Sequence, residues 1–175
     1  FNIMIGVSAG LAATDVDKTV LIGWNAGRGV LTSAADGTMA IGYEAGYSLT
    51  SGGSNVAIGY RAGKSLTTSQ QNIIIGYQTG ENASTDSNVI VGTNAGRNIT
   101  TGGGENVVIG TSAAENASDI EDSVLIGTQA GLNSSGSRRS VSIGWYAGQK
   151  MYDGRNNVFM GYTAGRYISG SDNTF

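Results

Sequence analysis

The sequence predicts an all-β chain, a β-solenoid of about ten coils of roughly 17 residues each. Three observations predict it. One frame recurs ten times: a polar residue, three mostly apolar ones, glycine, two variable positions, alanine and glycine, as in Asn55-Val56-Ala57-Ile58-Gly59-Tyr60-Arg61-Ala62-Gly63. Its first glycine falls at Gly6, Gly23, Gly42, Gly59, Gly76, Gly92, Gly110, Gly127, Gly144 and Gly161. A period that steady marks stacked repeats whose core runs along an axis. The residues before each of those glycines are short β-branched runs bounded by turn formers, which is strand chemistry. The third observation removes helix: 29 glycines punctuate the chain, each costing a helix ~1 kcal/mol, and no 3.6-residue stripe is present.

Taken in order, the predicted strands are Ile3-Met4-Ile5, Val20-Leu21-Ile22, Met39-Ala40-Ile41, Val56-Ala57-Ile58, Ile73-Ile74-Ile75 and Val89-Ile90-Val91. Val107-Val108-Ile109, Val124-Leu125-Ile126, Val141-Ser142-Ile143 and Val158-Phe159-Met160 follow. Side chains alternate along a strand, so the outer two residues of a triplet share one face and the middle one takes the other. The outer pair is uniformly Val, Ile or Met and is expected to fill the solenoid core. The middle column is then expected to face out. Because it is apolar at Leu21, Ile74, Ile90, Val108, Leu125 and Phe159, these six are expected to form an interface between chains.

The glycines are expected at corners, where a missing Cβ permits positive φ and close backbone approach. The alanine before the second glycine (Ala26, Ala45, Ala62 and their equivalents, with Thr79 the exception) should point inward. Seven residues after the first glycine a further apolar column, including Val30, Leu49, Leu66, Ile99 and Met151, reads as a second inward contact. Length variation collects after it, in Thr32–Gly37 and Thr100–Glu105, the expected exposed loops. The column Lys64, Glu81, Arg97, Glu115 alternates in sign over four successive coils. Stacked at ~4.8 Å, each charge would lie between opposite ones.

Composition narrows the function classes. Charged residues are 13% and the net charge is −3, so a basic surface for nucleic acid is not expected. Cysteine and histidine are both absent, which removes disulfides, thiol chemistry, and the commonest general base and metal ligand. No apolar run approaches the ~20 residues of a membrane-spanning helix. The chain opens inside one repeat and stops inside another, so residues 1–175 are expected to be one repeat-built segment of a longer fibre.

Several motifs resemble chemistry without its context. Gly6-Val7-Ser8-Ala9-Gly10 matches a nucleophile elbow, which needs a strand–turn–helix setting and a histidine. Gly59-Tyr60-Arg61-Ala62-Gly63-Lys64-Ser65 is one residue short of a phosphate-binding loop and no helix follows. Asp119, Glu121 and Asp122 form the one dense acidic cluster, which departs from calcium-loop spacing. Sequons at Asn82, Asn98, Asn116 and Asn133 are unremarkable in a chain so rich in Asn, Ser and Thr. No catalytic residue, cofactor or metal ligand is assigned. The stronger lead is the position after the first glycine, where Trp24, Tyr43, Tyr60, Tyr77, Trp145 and Tyr162 line up. Such a column is either a packing ladder or a flat surface for a sugar ring.

Frames such as Asn55-Val56-Ala57-Ile58-Gly59 and Asn88-Val89-Ile90-Val91-Gly92 resemble the head repeats of YadA-type trimeric autotransporter adhesins. The longer form Ile58-Gly59-Tyr60-Arg61-Ala62-Gly63 is similar to phage tail-fibre repeats. The resemblance covers essentially the whole chain and implies a left-handed β-roll in a parallel homotrimer; the hand comes from it alone, since parallel crossovers are generally right-handed. It also implies an extracellular, non-enzymatic fibre segment on a virion or bacterial surface, involved in host attachment. The alternative is a bacterial adhesin head that itself binds a host protein or glycan. It carries no receptor-binding residue onto this chain.

Overall fold

A computed structural model describes residues 1–175. Ten three-residue strands fall on the ten predicted triplets: β1 (Ile3–Ile5), β2 (Val20–Ile22), β3 (Met39–Ile41), β4 (Val56–Ile58), β5 (Ile73–Ile75), β6 (Val89–Val91), β7 (Val107–Ile109), β8 (Val124–Ile126), β9 (Val141–Ile143) and β11 (Val158–Met160). They form one parallel sheet in chain order, each triplet paired residue for residue with the next. A second parallel pair, β10 (Lys150–Tyr152) with β12 (Tyr167–Ser169), lies on the arm after the corner. The sequence reading did not separate it as a strand. The same arm is hydrogen bonded between coils elsewhere, as in Thr14 N–H to the Leu31 carbonyl (3.1 Å) and Ser118 N–H to the Ser134 carbonyl (2.9 Å). Of 111 backbone hydrogen bonds only 20 lie inside regular elements, so coil-to-coil pairing runs through corners and loops as well as strands.

The first glycines stack directly. Gly110 has φ +134°, and a Cβ there would come 2.6 Å from the Gly127 carbonyl oxygen. Any side chain would therefore push neighbouring backbones apart as well as strain its own. The second glycine, with φ near +55° as at Gly46 (+56°), completes the corner.

The facing of the strands is the reverse of the sequence expectation. Leu21, Ile74, Ile90, Val108, Leu125 and Phe159 are each 0% exposed within a single chain. They are the solenoid core and cannot form an interface between chains. Alternation says which residues share a face, not which face lies inside. The corner turns the chain toward the middle residue, and the following arm brings the second inward column against it. In six of the coils the two columns compensate in size, whereas Leu21 with Leu31 and Ile90 with Ile99 pair two large buried residues. Ala40 goes with Leu49, Ala57 with Leu66, Ile74 with Ala83, Val108 with Ala117 and Leu125 with Ser134, all buried. Ser142, a small polar core residue, goes with Met151, its hydroxyl 3.8 Å from the thioether sulfur. In those six coils the exchange helps keep a narrow interior filled to native density.

The alanine column is inward as expected, and Thr79 fits there because its hydroxyl donates to the Gly92 carbonyl. Val30 is a further correction. In the 19-residue coil it points out, and Leu31, fully buried, takes its place. Within the following loop Ser33–Ala35 forms a 3-10 turn that buries Ala35.

The polar residue before each strand of the main sheet from β2 onward is also internal. Asn55, Asn72, Asn88 and Asn106 are 1% exposed. The Oδ1 of Asn55, Asn72 and Asn88 accepts from the next coil's side chain and backbone, as when Asn88 Nδ2 and N–H both reach Asn72 Oδ1 at 3.0 Å, while that of Asn106 accepts from the Ser123 backbone alone. This asparagine stack satisfies buried polar groups that would otherwise cost ~1–3 kcal/mol apiece.

Two outcomes are expected. Gly110→Ala should destabilise the chain by more than ~2 kcal/mol, whereas Gly46→Ala, whose Cβ would meet only Ala40 at 3.4 Å, should cost about 1 kcal/mol. Denaturant melts of the two variants make the comparison. Ile90→Ala should cost ~2–5 kcal/mol by leaving a cavity, and Ile90→Asp should abolish the folded circular-dichroism signal at any protein concentration, because the defect lies within one chain.

Candidate interaction surface

With the middle residues inside, the outer pairs of all ten strands face outward. Two residues on each of ten strands, every one Val, Ile or Met, make an apolar strip along the whole sheet. Most are half-buried by their stacked neighbours, while Ile73 and Ile109 reach 41% and 36% exposure. A strip that long on one face is unusual for a surface bathed in water.

Beside it, immediately past the corner, runs the aromatic column. Tyr43 and Tyr60 stack with ring centroids 5.0 Å apart and planes 9° from parallel; Tyr60 and Tyr77 repeat this at 5.1 Å and 12°. Trp24 meets Tyr43 edge-on at 5.2 Å. Trp145 and Tyr162 form a separate pair at 5.2 Å, the coils between carrying Thr93, Thr111 and Thr128. Both readings of this column have physical substance: the rings pack on one another, and Trp24, Tyr60, Tyr77, Trp145 and Tyr162 remain exposed.

The alternating charges are brought together, with one change of partner. Arg97 bonds Glu81 at 2.8 Å as expected. Lys64 instead reaches Glu44 at 3.0 Å, and Arg61 bridges the two carboxylates, 3.0 Å from Glu44 and 3.6 Å from Glu81. Glu115 makes no ion pair. Glu44 and Arg61 occupy the second position after the first glycine, which is left-handed in every coil (φ 52° and 54° here). The column sequence did not predict that position's aim, and its side chains intrude into the neighbouring charge column. Burial works to raise the Glu44 pKa, but the hydrogen bond and charge of Lys64, with Arg61 behind it, outweigh this and hold it below its ordinary 4.5.

The remaining motif residues find ordinary partners. Ser8 sits at a left-handed corner (φ 58°), and Lys64 is committed to Glu44. Asp119 and Glu121 both close on Arg138, at 2.9 and 3.2 Å. The four sequon asparagines fall in one vertical column and bond to one another: Asn82 Nδ2 to Asn98 Oδ1 at 2.8 Å, Asn98 to Asn116 at 3.1 Å, and Asn116 to Asn133 at 3.2 Å. An open polar groove of about 390 Å³ lies between loops around Ser84, Asp86 and Gly103. Sequence reasoning missed Tyr47, Tyr146, Tyr167 and Arg166, which make the cation–π contacts of the arm. Writing out the second, fifth and sixth positions after each first glycine as columns would have exposed them.

The chain matches no protein-family model, no curated protein and no solved structure. Its functional reading therefore rests on this surface.

A pH dependence follows from Glu44. Because its folded pKa lies below the ordinary 4.5, the carboxylate contributes stability that is present above that value and is lost as pH falls through the folded one. Melting temperature should drop across that acid window, and Glu44→Gln should flatten the drop while lowering stability at pH 7. An unchanged acid limb in the variant would remove Glu44 from the account.

Proposed function

We propose that residues 1–175 are a structural, non-enzymatic rod segment of an extracellular fibre, of phage or other virus tail-fibre type, that takes part in host attachment. Three parallel chains pack in register as left-handed β-rolls around a common axis, and the segment needs no cofactor, nucleic acid or membrane insertion. The observation that carries this reading is the unbroken outward strip of Val, Ile and Met. Burying one such side chain fully is worth ~1.5–3 kcal/mol. Even at about 1 kcal/mol each for half-buried groups, two per coil over ten coils outweigh the ~4–15 kcal/mol of freedom lost on association. The chain number, the hand and the extracellular setting come from the repeat resemblance. The trimer seam moves from the middle column to the outer pair.

A second reading is a bacterial surface adhesin whose segment itself binds a host protein or glycan. The stacked, exposed aromatics favour it, since a purely structural rod gains little from leaving rings in water.

Sedimentation tests the assembly. The wild-type segment should run at three times 17.8 kDa, and Ile109→Asp, which puts a carboxylate on the strip, should yield a folded monomer. A wild-type monomer at micromolar concentration would remove the proposal, as would an Ile109→Asp chain that still assembles.

A further inference from the structure

Between Gly59 and Gly110 the coil lengths run 17, 16 and 18 residues. The strands nevertheless stay in register, Ile73 on Val89 and Val89 on Val107, so the loops absorb the difference. A loop one residue short lies between an ordinary one and a longer one. At that step, in the middle of the rod, lies the polar groove of about 390 Å³. Thr68 and Ser69 line it from the first coil, Ser84, Thr85 and Asp86 from the second, and Gly102–Gly104 from the third. Its hydrogen-bonding groups are only partly used. Ser69 is 4% exposed, and its carbonyl accepts from Asn55 Nδ2 while its hydroxyl has no protein partner. Thr85, 8% exposed, accepts from Asn88 Nδ2 at 3.0 Å and donates to nothing. Asp86 Oδ1 accepts from the Gln70 N–H at 3.0 Å, which leaves Oδ2 free and the carboxylate without an ion pair. The N–H groups of Gly102, Gly103 and Gly104 have no acceptor in the chain. Those glycines are a matter of space, since a Cβ on Gly104 would run into the Asp86 carbonyl and one on Gly103 into the Glu121 side chain.

We propose that this groove, with Asp86 as its anchor, binds a neutral sugar unit of a surface glycan. The lining selects by elimination. None of its residues is hydrophobic, so an apolar or aromatic ligand has no wall to pack on. Asp86 lines it and no lysine or arginine does, which works against an anion. A bare calcium ion would need about 6–8 oxygens at ~2.3–2.6 Å. A groove this wide with one carboxylate does not supply them, and no cluster of three metal-ligating side chains occurs in the chain. A protonated amine only donates, so it would pair with Asp86 and leave the three glycine N–H groups unmatched. Sugar hydroxyls both donate and accept. Two neighbouring hydroxyls can donate to the Asp86 carboxylate in charge-assisted bonds, while their lone pairs and those of the ring substituents accept from Ser69, Thr85 and the glycine N–H groups. The volume falls at the small end of the ~300–1,000 Å³ usual for small-molecule sites. The groove thereby supplies a ligand class to the attachment reading above, on which this assignment rests.

Amide NMR of the isotope-labelled chain tests the site and locates it. Titration with the methyl glycosides of glucose, galactose, mannose and N-acetylglucosamine, up to about 50 mM, should shift the Gly102–Gly104 amides saturably with at least one. Asp86→Asn, which keeps the oxygen that Gln70 uses, should weaken that binding about tenfold. Ser69→Ala should weaken it as well, with the melting temperature unchanged or raised, because its hydroxyl has no partner in the free chain. If either variant misfolds, Thr68→Ala provides the same comparison. No response to any of the four sugars, or binding that the folded variants keep in full, would overturn the site. A saturable response to calcium chloride or butylammonium in place of the sugars would overturn it too. Retention of the purified protein on cells separates the two levels. Retention that Asp86→Asn leaves unchanged overturns the groove as the glycan site while attachment stands, whereas sugar binding without retention on a panel of cell types does the reverse.

Discussion

In-register stacking of each coil on the next is the constraint on which the rest of the structure depends. Every strand triplet pairs with its counterpart about 17 residues away, and the hydrogen bonds continue through the corners, as from Gly27 N–H to the Ala45 carbonyl (2.9 Å). Stacking at strand spacing leaves no room for a Cβ where backbones cross, so the first glycine is required by its neighbours as much as by its own φ. One such glycine is a turn residue; ten in a line are a structural axis.

A core one coil thick has little freedom. With the backbone spacing set by hydrogen bonding, the middle strand position and its partner on the following arm trade size in several coils, while Leu21 with Leu31 and Ile90 with Ile99 pair two large residues. Ala57 with Leu66, then Ile74 with Ala83, show the exchange in adjacent coils. Buried polarity obeys the same geometry. Asn72 accepts two bonds from Asn88 and passes two to Asn55, which is possible because identical groups sit one coil apart.

Stacking also organises the outside. Like side chains are placed over like, so any column amplifies its chemistry: asparagines bond in series, tyrosines stack, and charges would repel were signs not mixed. The Glu44, Arg61, Lys64, Glu81 and Arg97 network resolves this with two carboxylates among three cations. The same stacking lines up twenty outward Val, Ile and Met residues, two on each of the ten strands, into one face. A column of modest side chains thereby becomes a surface large enough to drive association.

By itself the sequence determined the period, the strand residues, the glycine corners, the inward alanines and the columns, because each is a local property repeated ten times. It located all ten strand triplets and the aromatic column of Trp24, Tyr43, Tyr60, Tyr77, Trp145 and Tyr162. The size exchange between Ala40 and Leu49, or Ser142 and Met151, was also written there as a sign of intrachain packing, yet uniform Val and Ile looked more core-like than a column ranging from Ala to Phe. Only the tertiary structure decided which face of the strand is inside, since alternation is symmetric and the corner breaks the symmetry. It alone exchanged Val30 for Leu31 where two extra residues enter a coil. It alone redirected Lys64 to Glu44, because the left-handed conformation at Glu44 and Arg61 aims those side chains across columns.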